Sequence, residues 1–590
     1  MCKRLVCLLI GVIAFGLSSL GWADVSVPTM FSDNAVLQRN MSVPVWGTAS
    51  PGEHVTVDFG VQSKTTETSG SGDWMIYLDP MPASSSPTNM AIRGYVNDIT
   101  TNVITITDVQ VGEVWVGSGQ SNMYNPLSGD CDANLAIADS GSYNIRFFNV
   151  GSGTPNGTVW EVSDPETSPS FSAVHFYFGR HLADNLPGVP IGLIHSAVSA
   201  TAIEKWATCA GSGGLYTGQI VPLQPYGIKG VTWYQGEWDS RSAKDAEKYY
   251  WQMPCLIDEW RTDWGQNPSN FPFYIVQMPK MGLSSIHIVR DAELQTALDD
   301  PKVEMIVTID NQGPDVHPPC KDLFFGVRLA QLARKFEYNH SIDARSPFYN
   351  AAASYVAGDT IRVVFDDVAG GLESSGGLLA EWEIAGSDGY YVAANAYIVS
   401  PDTVKVWSPS VPIPVSARYA FSPNPAANNL INSAGLPASP IREVTPESGG
   451  PVCGDSNCAP GEGCNCAADC GTPPSSETSC TDGDDNDCDT AIDCDDVDCL
   501  GDLACPYCGD GACDIDEDMC SCSADCGTPL GSETICDDGI DNDCDNDIDC
   551  EDRDCLGVPP CPNCLPKRAA CNDNAECCSN NCLPAGKCAK

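Results

Sequence analysis

The sequence predicts a multidomain chain: a central α/β domain, a β-sandwich domain on either side of it, and a disulfide-rich tail. Three observations point there. Between about Asp108 and Asn339, apolar strand-like runs alternate with helical stretches, the pattern of a sheet with helices on both faces. On either side, short runs rich in Val and Thr are separated by Gly, Pro and Ser turn signals, which read as β-sandwich strands. Finally, 26 of the 32 cysteines lie after residue 450. At 590 residues the chain has room for three or four domains.

The amino terminus opens Met1-Cys2-Lys3-Arg4, followed by an apolar run from Leu5 to about Leu20 and by Gly21-Trp22-Ala23. A basic start, a short apolar core and small residues at the -3 and -1 positions predict a signal peptide over residues 1–23. The alternative is an uncleaved anchor. No other stretch is apolar enough to span a bilayer. The expectation is therefore a secreted protein, extracellular or on the outer cell surface, with the periplasm as a variant. Thirty cysteines then remain, an even number that fits an oxidising compartment. Net charge is -48, which argues against nucleic acid or an anionic membrane as partner. From Thr445 onward 34 Asp and Glu face 5 Lys and Arg, so the tail alone carries -29.

Taken in order, residues 24–107 hold runs such as Val43-Pro44-Val45-Trp46-Gly47 and His54-Val55-Thr56-Val57-Asp58-Phe59. They contain no catalytic set. Residues 108–345 begin with Val111-Gly112-Glu113-Val114-Trp115-Val116, mostly apolar and β-prone, so a buried strand. It breaks at Gly117-Ser118-Gly119-Gln120-Ser121, which puts a serine hydroxyl at the carboxyl edge of a sheet, where ligands bind in open α/β folds. Taken alone, Ser121 reads as readily as a helix cap. Phe171 to Ala183 and Lys244 to Trp264 suit helices, the second with an aromatic face. Gly192-Leu193-Ile194-His195 suits a strand. Two more β-prone runs end in polar clusters: Val231 to Glu237, and Val303 to Asp310 followed by Gly313-Pro314-Asp315-Val316-His317. Together the three strand ends supply a nucleophile, amide donors, and a base with an acid, in the order Ser…Asp-His; such a triad is recognised by roles and not by position. Phe325 to Arg334 carries Leu and Ala at helical spacing and is expected behind the site. Residues 346–445 are β-like again, for example Asp359 to Phe365 and Asp402 to Trp407.

The tail holds an internal repeat over residues 446–563. Cys470-Gly-Thr-Pro-Pro-Ser-Ser-Glu-Thr-Ser-Cys480 recurs as Cys526-Gly-Thr-Pro-Leu-Gly-Ser-Glu-Thr-Ile-Cys536, an offset of 56 residues. Each copy carries an acidic loop: Asp482, Asp485, Asp487 and Asp489 in the first, Asp538, Asp541, Asp543 and Asp545 in the second. Carboxylates at alternate positions around a glycine are hard oxygen ligands on a tight turn, the donor set Ca²⁺ takes. The competing reading is a disulfide-stapled acidic loop without a specific metal. Zinc fits poorly, since the tail has no histidine. Residues 564–590 hold six cysteines, including Cys577-Cys578, in a knottin-like pattern that suits binding to a cell surface or polymer, or a protective cap.

"GEVWVGSGQSNM", "WYQGE" and "DVHPPCK" closely resemble the sialate O-acetylesterase-like branch of the SGNH hydrolase superfamily, and "MFSDNAVLQRNMSVPVWGTASPGEHVTV" resembles the usual amino-terminal domain of that branch. The resemblance implies a flavodoxin-like three-layer hydrolase domain, with a β domain after it. It makes Ser121 the nucleophile and His317 the general base. Asp315 would orient His317, although it stands two residues before the histidine where many SGNH enzymes place it three before; Asp310 is the competitor. Gln120, Ser199, Gln235 and Glu237 become oxyanion or substrate contacts, with Gln235 offering a side-chain amide to the oxyanion beside the Ser121 N–H. Relatives have Gly-Gly where this chain has Ser199-Ala200, so a left-handed turn would be strained here. Cys320 also replaces a polar residue common before the Lys.

The implied function is a secreted serine esterase that removes O-acetyl groups from acetylated carbohydrate, either sialic acids or plant and algal polysaccharide, with no metal needed for the chemistry. The alternative is a weakened hydrolase whose calcium- and cysteine-rich tail carries a surface- or glycan-binding role. Cys131, Cys209, Cys255 and Cys320 are left to pair around the hydrolase domain, in an arrangement the sequence leaves open.

Overall fold

The computed structural model describes residues 24–151, 159–266, 268–311, 317–318, 320 and 322–446. Asp315 and the whole tail, including its eight calcium-ligand candidates and its repeat, lie outside the described residues.

The amino-terminal part is built from β1 (Val36–Gln38), β2 (Val43–Thr48), β3 (His54–Phe59), β4 (Gln62–Glu67), β5 (Asp73–Leu78) and β6 (Ser84–Val96). In β3, Val55, Val57 and Phe59 are buried while His54 is exposed and Thr56 and Asp58 half-buried; β5 alternates in the same way, with Trp74, Ile76 and Leu78 inward. This period of two is the pleat that the sequence pattern encodes. β3 pairs antiparallel with β4 and β6, and β2 with β5. β6 then turns into β7 (Ile99–Gly119) through Asn97 and Asp98, both at positive φ (50° and 63°). Asn and Asp tolerate that conformation, and a two-residue turn of this hand matches the twist of the flanking strands.

β7 is 21 residues long and changes partners twice. It runs antiparallel to β6 as far as Val111, parallel to β1 over Gln110–Gly112, and then enters a second sheet as its central strand. The domain boundary expected between residues 107 and 108 lies inside this strand. Asp108 sits there at φ 54°, and its carboxylate pairs with Arg146 at 3.1 Å.

The second sheet continues with β8 (Ile145–Asn149), β9 (Trp160–Val162), β10 (Ile191–Ala197), β11 (Gly230–Tyr234), β12 (Phe273–Val276) and β13 (Val303–Ile306), in the order β13-β12-β11-β7-β10-β8-β9. All neighbours are parallel except β9, which runs antiparallel on β8. After β7 the chain builds one side of the sheet (β8, β10) and then the other (β11 to β13). The carboxyl ends of β7, β10 and β11 are therefore the switch point, the crevice that open α/β sheets use for ligands.

The helices are α1 (Ser121–Tyr124), α2 (Ala133–Asp139), α3 (Ala173–Asn185), α4 (Ala243–Trp264), α5 (Ile286–Asp299) and α6 (Arg328–Phe336). α4 has both its caps in the sequence: the Ser242 hydroxyl accepts from the Asp245 N–H at 3.2 Å, and Gly265 ends the helix at φ 68°. Its aromatic face is buried, with Trp233 set edge-on to both Trp206 and Trp260 at 5.9 Å. The expected helix behind the site starts at Arg328, after a wider turn over Asp322–Val327.

From Phe348 to Val444 the chain forms further sheets around a core of their own, which includes Ile361, Val363, Phe365, Trp382, Ile384, Val404 and Val406. Buried Arg290 of α5 fastens this part to the sheet. It donates to the carbonyls of Met278 (2.7 Å) and Pro279 (2.6 Å) on one side, and of Ser422 (3.0 Å) and Pro423 (3.1 Å) on the other. Gln277 adds a bond to the Ser439 hydroxyl at 2.7 Å. The four remaining cysteines pair as Cys131–Cys320 and Cys209–Cys255. Among the described residues no helix is long and apolar enough to cross a membrane.

Candidate active site

Ser121 stands at the switch point as the first residue of α1, half-buried. As a first-turn residue its N–H has no acceptor within the helix. The turn into α1 depends on Gly119, which takes φ 135° and lies so close to β11 that a Cβ would come within 2.1 Å of the Tyr234 carbonyl oxygen. No side chain fits there, and L residues avoid that conformation. The turn is held from both sides: the Gln120 N–H donates to Tyr234 (3.0 Å), and the Val198 N–H donates to Gly119 (3.1 Å).

Buried amides and carboxylates lock the groups around Ser121. The Gln120 carbonyl oxygen accepts from the Gln235 amide (3.1 Å) and from the Trp238 N–H (3.2 Å), which leaves its own amide nitrogen 3.5 Å from Ser121 Oγ. Gln235 is fully buried, and its amide donors are engaged with Gln120, the Thr201 carbonyl (2.9 Å) and Asp239 (2.6 Å), while its oxygen accepts from Tyr249 (3.0 Å). An amide has two protons, and these partners absorb both. This corrects the expected role of Gln235: it braces Gln120 and the 198–203 loop and does not present a donor to an oxyanion. Glu237 is buried and accepts from Asn122 at 2.5 Å, tying β11 to the residue after the nucleophile.

Asp239, which the sequence reading passed over, completes this frame. It accepts from Gln235 and from the Ile203 N–H (3.2 Å). Burial pushes its carboxyl up to about 6, against the lowering effect of those two hydrogen bonds. Its four-residue spacing from Gln235 was the one signal available.

Ser199 and Ala200 are exposed at the end of β10. Ala200 adopts φ 57°, so the left-handed turn survives without glycine. Thr201 secures it, donating to the Val198 carbonyl at 2.8 Å and accepting from the Trp206 indole at 3.1 Å. A non-glycine residue there costs roughly 1–2 kcal/mol.

His317 is exposed on the stretch after β13. The Cys131–Cys320 disulfide joins that stretch to the segment ten residues after Ser121, with Cα atoms 5.1 Å apart. Asp310 has its own partner, Arg328, whose two terminal nitrogens meet its two oxygens at 2.8 and 2.5 Å. That fork takes two of the acceptor sites of the carboxylate that competes with Asp315 for the histidine. Burial pushes His195 down to about 4 and His175 well below the usual imidazole range, so each is a poor proton acceptor near neutral pH.

A cavity of about 550 Å³ opens at the opposite, amino end of the sheet, lined in part by Arg39, Glu113, Lys229 and Glu337. Its charges are paired with one another, Arg39 with Glu113 and Lys229 with Glu337, and none of the catalytic candidates lines it.

Three comparisons bear on this geometry. Residues 111–331 match the family model described as carbohydrate esterase, sialic acid-specific acetylesterase. The chain is 30% identical over 315 residues to the sialate O-acetylesterase of Homo sapiens, which covers 44% of this chain and 59% of that protein. For the Mus musculus enzyme the figures are 28% over 320 residues, 41% and 58%. The chain thus spans somewhat under two thirds of these curated relatives. The crystal structure of a carbohydrate acetylesterase from Xanthomonas citri is similar at 32% identity and a TM-score of 0.64, over 71% of this chain and 99% of that one.

Proposed function

The chain belongs to the sialate O-acetylesterase-like carbohydrate esterases, and from that premise we propose that it is a secreted serine esterase releasing acetate from O-acetylated carbohydrate. The observation that carries this reading is Ser121 at the switch point, the first residue of α1, on a turn that only Gly119 permits.

In this mechanism Ser121 Oγ attacks the acetyl carbonyl while His317 takes its proton. The oxyanion is met by the Ser121 N–H, by the backbone of the Ser199-Ala200 turn and by the Gln120 amide. His317 returns the proton to the departing sugar hydroxyl, then activates a water that releases acetate from the acyl-serine. Asp315 is assigned to orient His317. The family's three-layer SGNH arrangement, β-sandwich flanks, the signal peptide and calcium in the tail complete the proposal. The Ala200 turn supports an active enzyme over a weakened binding protein, because the geometry that a glycine would supply is kept.

The test is acetate release from acetylated sialic acid, acetylated xylan and an aryl acetate, with Ser121→Ala beside the wild type. Release that falls by about four orders of magnitude or more in the variant supports the reading. Equal rates from both proteins would overturn it.

A further inference from the structure

The loop after β11, whose Trp238 N–H reaches Gln120 beside Ser121, carries a cation that the fold does not use. Arg241 ends the short turn Asp239–Arg241 after β11 and is exposed. Among the described residues it makes no ion pair, whereas Arg39, Arg146, Arg261, Arg328, Arg345, Arg418 and Arg442 each meet a carboxylate. Its neighbour Asp239 cannot neutralise it, because that carboxylate is buried and turned towards Gln235 and Ile203. The guanidinium instead lies 4.0 Å over the ring of Trp238, which is itself 38% exposed. The loop that carries this pair reaches the serine through its backbone: the Trp238 N–H donates to the Gln120 side-chain oxygen, and the Gln120 amide nitrogen lies 3.5 Å from Ser121 Oγ.

A guanidinium held over an indole loses side-chain freedom before any ligand arrives, and its planar fork of N–H groups can meet a carboxylate through two parallel hydrogen bonds. In a chain of net charge -48, an arginine that meets no carboxylate is also a positive charge that steers an anion towards its loop.

We propose that Arg241, held on Trp238, is a carboxylate-binding residue that selects acidic acetylated sugars, sialic or uronic acids, over neutral ones. This rests on the esterase reading for its position beside the reacting acetyl group. The test measures kcat and KM for an O-acetylated sialic acid and for its methyl ester, which differ only in the charge to be recognised, in the wild-type full chain, Arg241→Gln and Arg241→Lys. In Arg241→Gln the preference for the acid over the ester falls about tenfold, mostly through KM, and Arg241→Lys restores part of it, because lysine keeps the charge and loses the fork. The wild-type preference also shrinks as salt is raised. A preference unchanged in Arg241→Gln, or losses equal on acid and ester, overturns the assignment. Hydrolysis of an aryl acetate by the wild type separates the two readings. If even that fails, the esterase reading falls, and direct titration of free sialic acid into wild type and Arg241→Gln still decides the role of Arg241: weaker binding in the variant supports it, and equal binding overturns it.

Discussion

Removing Cys131–Cys320 should cost the enzyme its rate as well as its stability, whereas removing Cys209–Cys255 should cost stability alone. The first bond spans 189 residues and the second 46. Loop-closure entropy then assigns about 5 kcal/mol to the first and about 4 kcal/mol to the second, values close enough that stability hardly separates them. Position does. Cys320 lies three residues after His317 and Cys131 ten after Ser121, so the first bond ties the segment of the proposed base to that of the proposed nucleophile. Cys255 lies in α4, and Cys209 in the connection between β10 and β11. A misplaced catalytic group costs about 100-fold per ångström. In the double variant Cys131→Ser/Cys320→Ser, kcat for an aryl acetate should drop about 100-fold at 20 °C, under conditions where near-ultraviolet dichroism still reports a packed core. Cys209→Ser/Cys255→Ser should keep kcat and lose a similar amount in urea resistance. Equal kcat in the two double variants would refute the idea that the disulfide positions the histidine.

Two further outcomes follow from the frame around Ser121. Asp239 titrates at about 6 in the fold against 3.8 in the unfolded chain. The folded state therefore holds an extra proton between those values, and stability falls as pH rises through that window, by about 3 kcal/mol in all. Asp239→Asn lacks this loss, so its stability relative to wild type should climb between pH 4 and pH 7; a difference in urea midpoint that stays flat with pH would contradict the shifted carboxyl. Ala200→Gly should remove roughly 1–2 kcal/mol of left-handed strain while loosening the unfolded chain by somewhat less, so it should leave or slightly raise the melting temperature and keep acetate release; a clear loss of stability would show the turn to be unstrained.

Much of this was legible in the sequence, because the features concerned are local. The run Val111–Val116 is apolar enough to announce a buried strand, Gly119 and Ser121 follow directly, and α4 carries its caps and its aromatic spacing within one stretch. What stayed hidden depends on partners far along the chain. Gln235 looks like a free amide until Thr201 and Gln120 close on it from 34 and 115 residues away. The pairing of Asp310 with Arg328, 18 residues on, is likewise invisible in the sequence. Four cysteines allow three pairings, and only the fold chooses. The reach of β7 past residue 108 was masked by its own composition: Thr100 to Asp108 reads as the end of one domain because the polar side chains that face solvent there look like a linker.

That strand also limits how the protein can be taken apart. A 21-residue strand extends about 70 Å. One end of β7 is gripped by the amino-terminal sheet, and the other leads directly into Ser121. The amino-terminal domain is thus a splint and not a detachable module. A truncation or domain exchange at residue 108 would leave the hydrolase sheet with a central strand anchored at one end only, and softening of the outer sheet on heating would be felt at the serine before the hydrolase core itself gave way.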